Sequence, residues 1–328
     1  MAIWAALALA AAAATSPAAA TNPAAATEIE APGPAGPLRG TLVMPAGPPA
    51  ATILIVPGSG PTDRDGNSPL GVSAAPYRLL AEGLAARGVA TIRIDKRGMF
   101  GSAAAIADAN AVTLADYAAD VRQWVAAARA RTGAPCVWVL GHSEGGLVAL
   151  LAGRQPDGIC GLVLASAVGR PIGAVLREQL RANPANAPLL DEAMAAIASL
   201  EAGRRVDVEG MHPALMPLFA PQVQEYLIGL MTYDPAELIA SVRTPVLIVQ
   251  GGRDLQITEA DARRLAGANP NAELVLVADA NHVLKAVEAD DRAANLAAYA
   301  DPSLPLAPGI VDAIADFVAA APPPGGPQ

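Results

Sequence analysis

Six short runs of β-branched and other apolar residues recur along this chain, at 52–56 (TILIV), 90–94 (ATIRI), 137–140 (VWVL), 162–165 (LVLA), 246–249 (VLIV) and 274–277 (LVLV), with longer Ala- and Leu-rich stretches between them. Strands that are apolar on both faces need cover on both faces, and parallel neighbours need a crossover long enough to hold a helix. The alternation therefore predicts an α/β fold with a mostly parallel central sheet flanked by helices. Helices are expected at 77–87, 114–131, 145–153, 259–266 and 310–319. Two weaker strands, at 28–31 and 38–44, are expected to pair across the Pro/Gly-rich turn APGPAGP.

The rhythm stops between Arg170 and Val242, where Pro184, Pro188, Pro213, Pro217, Pro221 and Pro235 punctuate helical segments. A structureless loop of that length does not suit a compact domain, so an inserted helical cap is the simpler reading. It leaves after the fourth strong strand and returns before the fifth, which puts it over the carboxyl ends of the strands, where open α/β sheets bind ligands. The expected organisation is a leader at 1–26, core at 27–170, cap at 171–242, core at 243–320 and a disordered tail at 321–328 (ending PPPGGPQ).

A chain of 328 residues with 53% apolar content can bury a full core as one large domain with an insertion. Its 22 basic and 31 acidic residues, for a net charge of −9, give no electrostatic footprint for nucleic acid or an anionic membrane. The leader MAIWAALALAAAAATSPAAATNPAAA joins an apolar run to A-x-A-like sites and reads as an export signal, with cleavage between Ala14 and Ala26, although no Lys or Arg precedes the run. No later run reaches the roughly 18 apolar residues needed to span a bilayer. Cys136 and Cys160 stand at the starts of consecutive strand candidates. A disulfide fits that placement if the compartment is oxidising; two small buried apolar residues fit it as well, and the second reading is preferred.

Chemistry enters at Gly141-His142-Ser143-Glu144-Gly145, which follows the VWVL strand directly and opens a helical stretch. A tight strand-to-helix turn lifts a serine Oγ above the sheet, and small neighbours avoid a backbone clash. The helix N-terminus that follows presents backbone N–H groups, that of Glu144 among them, where an oxyanion can be stabilised. The bland reading is an ordinary glycine-rich turn; strand before and helix after favour a nucleophile.

From about Glu28 to Ala320 the sequence resembles the α/β-hydrolase superfamily. That resemblance implies an α/β-hydrolase fold and a triad in the chain order nucleophile, acid, histidine. Asp254, in VLIVQGGRD, and His282, in LVLVADANHVLK, stand after later strands where the family places acid and base; Asp279 and Asp261 compete for the acid role. Among His142, His212 and His282, the first adjoins the serine and would point away from Oγ, and the second falls in the cap, which leaves His282. The resemblance also places Ser59, in the loop IVPGSGPTDRDGN, where a second backbone N–H joins that of Glu144 in an oxyanion hole. The run PGSGPTDRDGN is similar to a branch of esterases and serine-aminopeptidase-like hydrolases. Asp63, Arg64, Asp65 and Asn67 either order this loop through ion pairs or form a solvated turn. The stretch 95–102, DKRGMFGS, is similar to a family loop D-x-R-G-x-G-x-S, but Phe100 stands where the second glycine belongs; it reads as scaffold without a chemical role.

The implied activity is hydrolysis of short to medium acyl carboxylic esters through an acyl-enzyme, with no metal or organic cofactor and a small-molecule ester as partner. The apolar run 211–231 either lines an acyl pocket or forms the cap's own core, and core is preferred for most of it. An aminopeptidase or amidase of the same fold would need a cap carboxylate for a substrate ammonium, for which Glu178, Glu201, Glu209 and Glu225 are candidates. A thioesterase or acyltransferase and a binding module without chemistry are further alternatives, and nothing speaks to oligomeric state.

Overall fold

The computed structural model describes residues 26–287 and 291–320. Nearly all of the expected leader (1–26) and the whole of the tail at 321–328 lie outside the described residues.

β1 (Ala26–Ala31) and β2 (Leu38–Val43) form the expected antiparallel hairpin. β3 (Ala51–Val56), β4 (Val89–Ile94), β5 (Val137–His142), β6 (Ile159–Ala165), β7 (Val246–Gly251) and β8 (Glu273–Val277) are the six strong runs, each within a few residues of its expected bounds. The sheet order is β1-β2-β4-β3-β5-β6-β7-β8; β2 runs antiparallel to β4, and all pairings beyond β4 are parallel. Every residue of β4, β5, β6 and β7 is buried, as a sheet covered on both faces demands.

Alternate strand residues point into two cores. Ile53, Ile55, Leu140, Val163 and Leu247 pack with α1 (Pro76–Ala86), and the carboxyl-terminal helix Ile310–Ala320 covers the same face. Leu54, Val56, Val139, Leu162 and Ile248 face α2 (Leu114–Thr132) and α3 (Glu144–Gly153). The α2 helix begins at a capping box, Thr113 with Asp116, and ends at Gly133 in the left-handed region.

Between β6 and β7 the chain is helical throughout its regular elements: α4 (Ile172–Arg181), α5 (Leu190–Glu201), α6 (Met216–Phe219), α7 (Pro221–Met231) and α8 (Pro235–Ala240). Ile197, Leu200, Phe219 and Leu227 of this insertion are buried in one core continuous with the α2/α3 face of the sheet. Met211, Leu215 and Leu230 join them, so most of the 211–231 run packs as core. After β7 come α9 (Glu259–Ala268), α10 (Arg292–Ala297) and the terminal helix, α11 (Ile310–Ala320).

Cys136 and Cys160 are disulfide-bonded, with Cα atoms 5.2 Å apart, which corrects the preference for two free thiols. The cause is register: β5 and β6 pair from Val137 opposite Ile159, so the flanking cysteines meet at the amino ends of adjacent strands.

Candidate active site

Ser143 lies between β5 and α3 with φ 56° and ψ −121°, a conformation that costs a non-glycine residue about 1–3 kcal/mol. The turn is held by hydrogen bonds from Ser143 N to Ala165 O (3.0 Å) and from Gly146 N to Ser143 O (3.0 Å). A Cβ on Gly145 would lie 2.4 Å from the Val56 carbonyl oxygen, so the motif's closing glycine is required by space.

His282 sits in the turn after β8, buried, and its Nδ1–H donates to Asp254 Oδ2 at 2.8 Å. Asp254, just past β7, also accepts from the backbone N–H groups of Gln256 (2.8 Å) and Ile257 (2.9 Å). Burial alone would raise its pKa; the His282 charge and these hydrogen bonds overcome that and hold it below the ordinary carboxylate value. The competing carboxylates are engaged elsewhere: Asp261 with Arg170 (2.7 Å), Asp279 with Arg253 (3.9 Å). An imidazole tied through Nδ1–H to a carboxylate keeps Nε2 as its basic nitrogen.

His142 cannot play that part, because both its nitrogens are occupied. The Tyr77 hydroxyl donates to Nδ1 (2.9 Å), and Nε2–H donates to the His282 carbonyl (2.7 Å). Its ring centroid lies 4.9 Å from that of His282, which puts the Asp254-bound imidazole against the elbow. Burial, then the neighbouring His282, push the His142 pKa down to about 3. His212 is exposed in the insertion, where its Nδ1 accepts from Ala214 N (3.2 Å).

The loop after β3 reaches the elbow from the other side. A Cβ on Gly58 would lie 3.2 Å from Ser143 Cβ, so the exposed Ser59 follows directly beside the serine. Gly58 N–H donates to Tyr77 Oη (3.1 Å), and Lys96 Nζ donates to Gly58 O (2.6 Å). Lys96 also lies 3.8 Å from the buried Glu144 carboxylate, which accepts from Tyr226 Oη of α7 (2.7 Å). Downstream, Arg64 binds Asp95 (2.7 Å) and Glu28 of β1 (2.8 Å), Asp65 pairs with Arg93, and Asp63 Oδ1 accepts from Asn67 N (2.8 Å). The ion-pair reading of this segment therefore holds over a solvated turn. Phe100 takes φ 43°, a left-handed value that a glycine would adopt freely and that costs a phenylalanine strain.

Sequence reasoning missed Tyr77, took Tyr226 only as part of the 211–231 run that lines a pocket or forms core, and gave Lys96 no role. Lys96 had a signal in its DKRG context; the tyrosines had none, being ordinary helix positions in sequence.

A model of the alpha/beta hydrolase family matches residues 53–299, well over half of the 328. The chain belongs to the alpha/beta hydrolase family. This alpha/beta hydrolase is 27% identical over 255 residues to Esterase EstD of Thermotoga maritima, an alignment covering 75% of the chain and 58% of EstD, less than two thirds of that relative's length. It is similar to Est1E from Butyrivibrio proteoclasticus, with a TM-score of 0.53 and 16% identity over 89% of this chain and 96% of that one. The esterase Pf2001 of Pyrococcus furiosus gives a TM-score of 0.54 at 18% identity, over 79% and 84% of the two chains. At these identities the structural likeness establishes the fold.

Proposed function

We propose that this alpha/beta hydrolase cleaves small-molecule carboxylic esters of short to medium acyl length through an acyl-enzyme intermediate. Ser143 attacks the ester carbonyl while His282 Nε2 takes the hydroxyl proton and returns it to the leaving alcohol; water then repeats the sequence on the acyl-enzyme. Asp254 fixes the tautomer and stabilises the imidazolium. The backbone N–H groups of Ser59 and Glu144 receive the oxyanion. The observation that carries this reading is the buried 2.8 Å His282–Asp254 pair lying against the strained serine elbow. Likeness to EstD supports an ester as substrate, and the helical insertion 171–242 serves as the cap.

The aminopeptidase alternative is weakened by the state of its candidate carboxylates. Glu178 pairs with Arg170, Glu201 with Arg177 (2.5 Å) and Glu225 with Arg205 (3.9 Å), which leaves only Glu209 among the four without an ion pair among the described residues. The Cys136–Cys160 bridge supports export, since disulfides persist in oxidising compartments. No helix among the described residues is long and apolar enough to cross a membrane.

The test is covalent labelling with a fluorophosphonate followed by peptide mapping, alongside burst release of p-nitrophenol from its acetate and butyrate esters. The expected adduct is on Ser143, and Ser143→Ala should lose both label and burst. Labelling elsewhere, or an intact protein with no burst, rejects the assignment.

A further inference from the structure

The proposed oxyanion donor at Ser59 shares its peptide group with the carbonyl of Gly58: one amide carries both the C=O of residue 58 and the N–H of residue 59. That carbonyl accepts a 2.6 Å hydrogen bond from the buried Lys96 ammonium. We propose that Lys96 is a positioning residue of the oxyanion hole, whose positive charge on the Gly58 carbonyl orients and polarises the peptide that presents the Ser59 N–H. The inference rests on the hydrolase reading given above.

Amide resonance links the two ends of the group. A cation at the oxygen draws electron density from the nitrogen and makes the N–H a stronger donor, and charge-assisted hydrogen bonds are shorter and stronger than neutral ones. Chains of hydrogen bonds polarise one another in the same sense. The plane of the peptide is held as well, because Lys96 binds the carbonyl while Gly58 N–H on the preceding peptide is held by Tyr77 Oη at 3.1 Å. A Cβ added at Gly58 would come within 3.2 Å of Ser143 Cβ, so the loop has little room to shift toward the serine.

Three contacts favour the ammonium against the cost of its burial. Burial lowers the Lys96 pKa, and the Glu144 carboxylate 3.8 Å away opposes that effect. The Tyr117 ring lies beneath the ammonium, 5.2 Å from Nζ to the centroid, and offers a third favourable contact. Glu144 is the residue whose backbone N–H is the other proposed donor. Its carboxylate is held by Tyr226 Oη at 2.7 Å, so the Lys96–Glu144 pair ties the two halves of the hole together from below. A scaffold lysine satisfied at the surface would need none of this.

The experiment uses the full chain with Lys96→Met, which removes the charge at similar length, and Lys96→Gln, which keeps a neutral donor and guards against a Met variant that does not fold. Two quantities are read. The first is steady-state hydrolysis of p-nitrophenyl butyrate, with kcat and KM separated. The second is the ionisation of the hemiketal formed by Ser143 with an aryl trifluoromethyl ketone, followed by fluorine NMR against pH, which reports oxyanion stabilisation and does not move for a merely structural loss. Expected for either variant is a fall in kcat of about 10- to 100-fold with KM within about twofold, less than or comparable to deletion of a whole oxyanion donor. The hemiketal should ionise at least about one pH unit higher than in the wild type. Unchanged hemiketal ionisation in a folded variant, whatever happens to kcat, overturns the role given to Lys96. A wild-type protein that forms no Ser143 adduct with the ketone overturns instead the hydrolase reading, and the inference with it.

Discussion

Replacing His142 with Gln should flatten the acid side of this protein's stability curve. His142 is buried, and its pKa falls from the ordinary 6.5 to about 3 through burial and then the nearby His282. The unfolded chain takes up a proton near pH 6.5 that the folded protein refuses until about pH 3. A group with a depressed histidine pKa contributes stability that is complete above its unfolded value and is lost as the pH falls toward its folded value. Between pH 7 and pH 5 the loss is about 2 kcal/mol for this one site, from the unfolded proton affinity alone. At pH 5 the folded protein still leaves this ring unprotonated. Gln at this position can accept from Tyr77 and donate to the His282 carbonyl at any pH. Asp254, whose pKa is lowered from 3.8, contributes only below this window and equally in both proteins. Urea unfolding at pH 7, 6 and 5, with midpoint and slope fitted separately, should show the wild type losing about 2 kcal/mol more than His142→Gln. Parallel curves for the two proteins would refute the claim that His142 is held neutral.

Phe100→Gly should raise the urea midpoint by the equivalent of about 0.5–1 kcal/mol, since Phe100 holds φ 43° and is 44% exposed; a fall would mean that its ring packing outweighs its strain. Converting both Cys136 and Cys160 to Ser should cost about 3.5 kcal/mol, the chain-entropy value for a bridge with a sequence separation of 24, while kcat stays within about twofold because the bridge lies at the strand starts. A stability loss under about 1 kcal/mol in equilibrium unfolding, or a large fall in kcat, would contradict that account.

The fold was legible because β4, β5, β6 and β7 are buried on both faces, so their apolar runs stand out against the helices whatever the alanine bias. The residues assigned to the triad were legible for a related reason: each follows a strand whose end can be located. Ser143 announces itself further through glycines that space requires. What escaped depends on partners far apart in sequence. Tyr77 meets His142 across 65 positions, Lys96 meets Gly58 across 38, and Glu144 meets Tyr226 across 82. No local pattern records such meetings, because a tyrosine on a helix face reads as core until its hydroxyl has somewhere to go. The cysteine pair failed differently, since strand register decides whether two Cα atoms stand near 5 Å or beyond reach. Short α10, six residues from Arg292 to Ala297, is too brief for periodicity to single it out.

The hairpin edge strand β1 carries Glu28, which grips Arg64, which in turn holds Asp95 beside Lys96. A peptidase that trims the amino end beyond this glutamate would take from Arg64 one of its two carboxylate partners without touching a reacting atom. Maturation cuts, affinity tags and truncation boundaries all meet the same point: residue 28 reaches the loop after β3 through Arg64 even though it lies at the rim of the sheet.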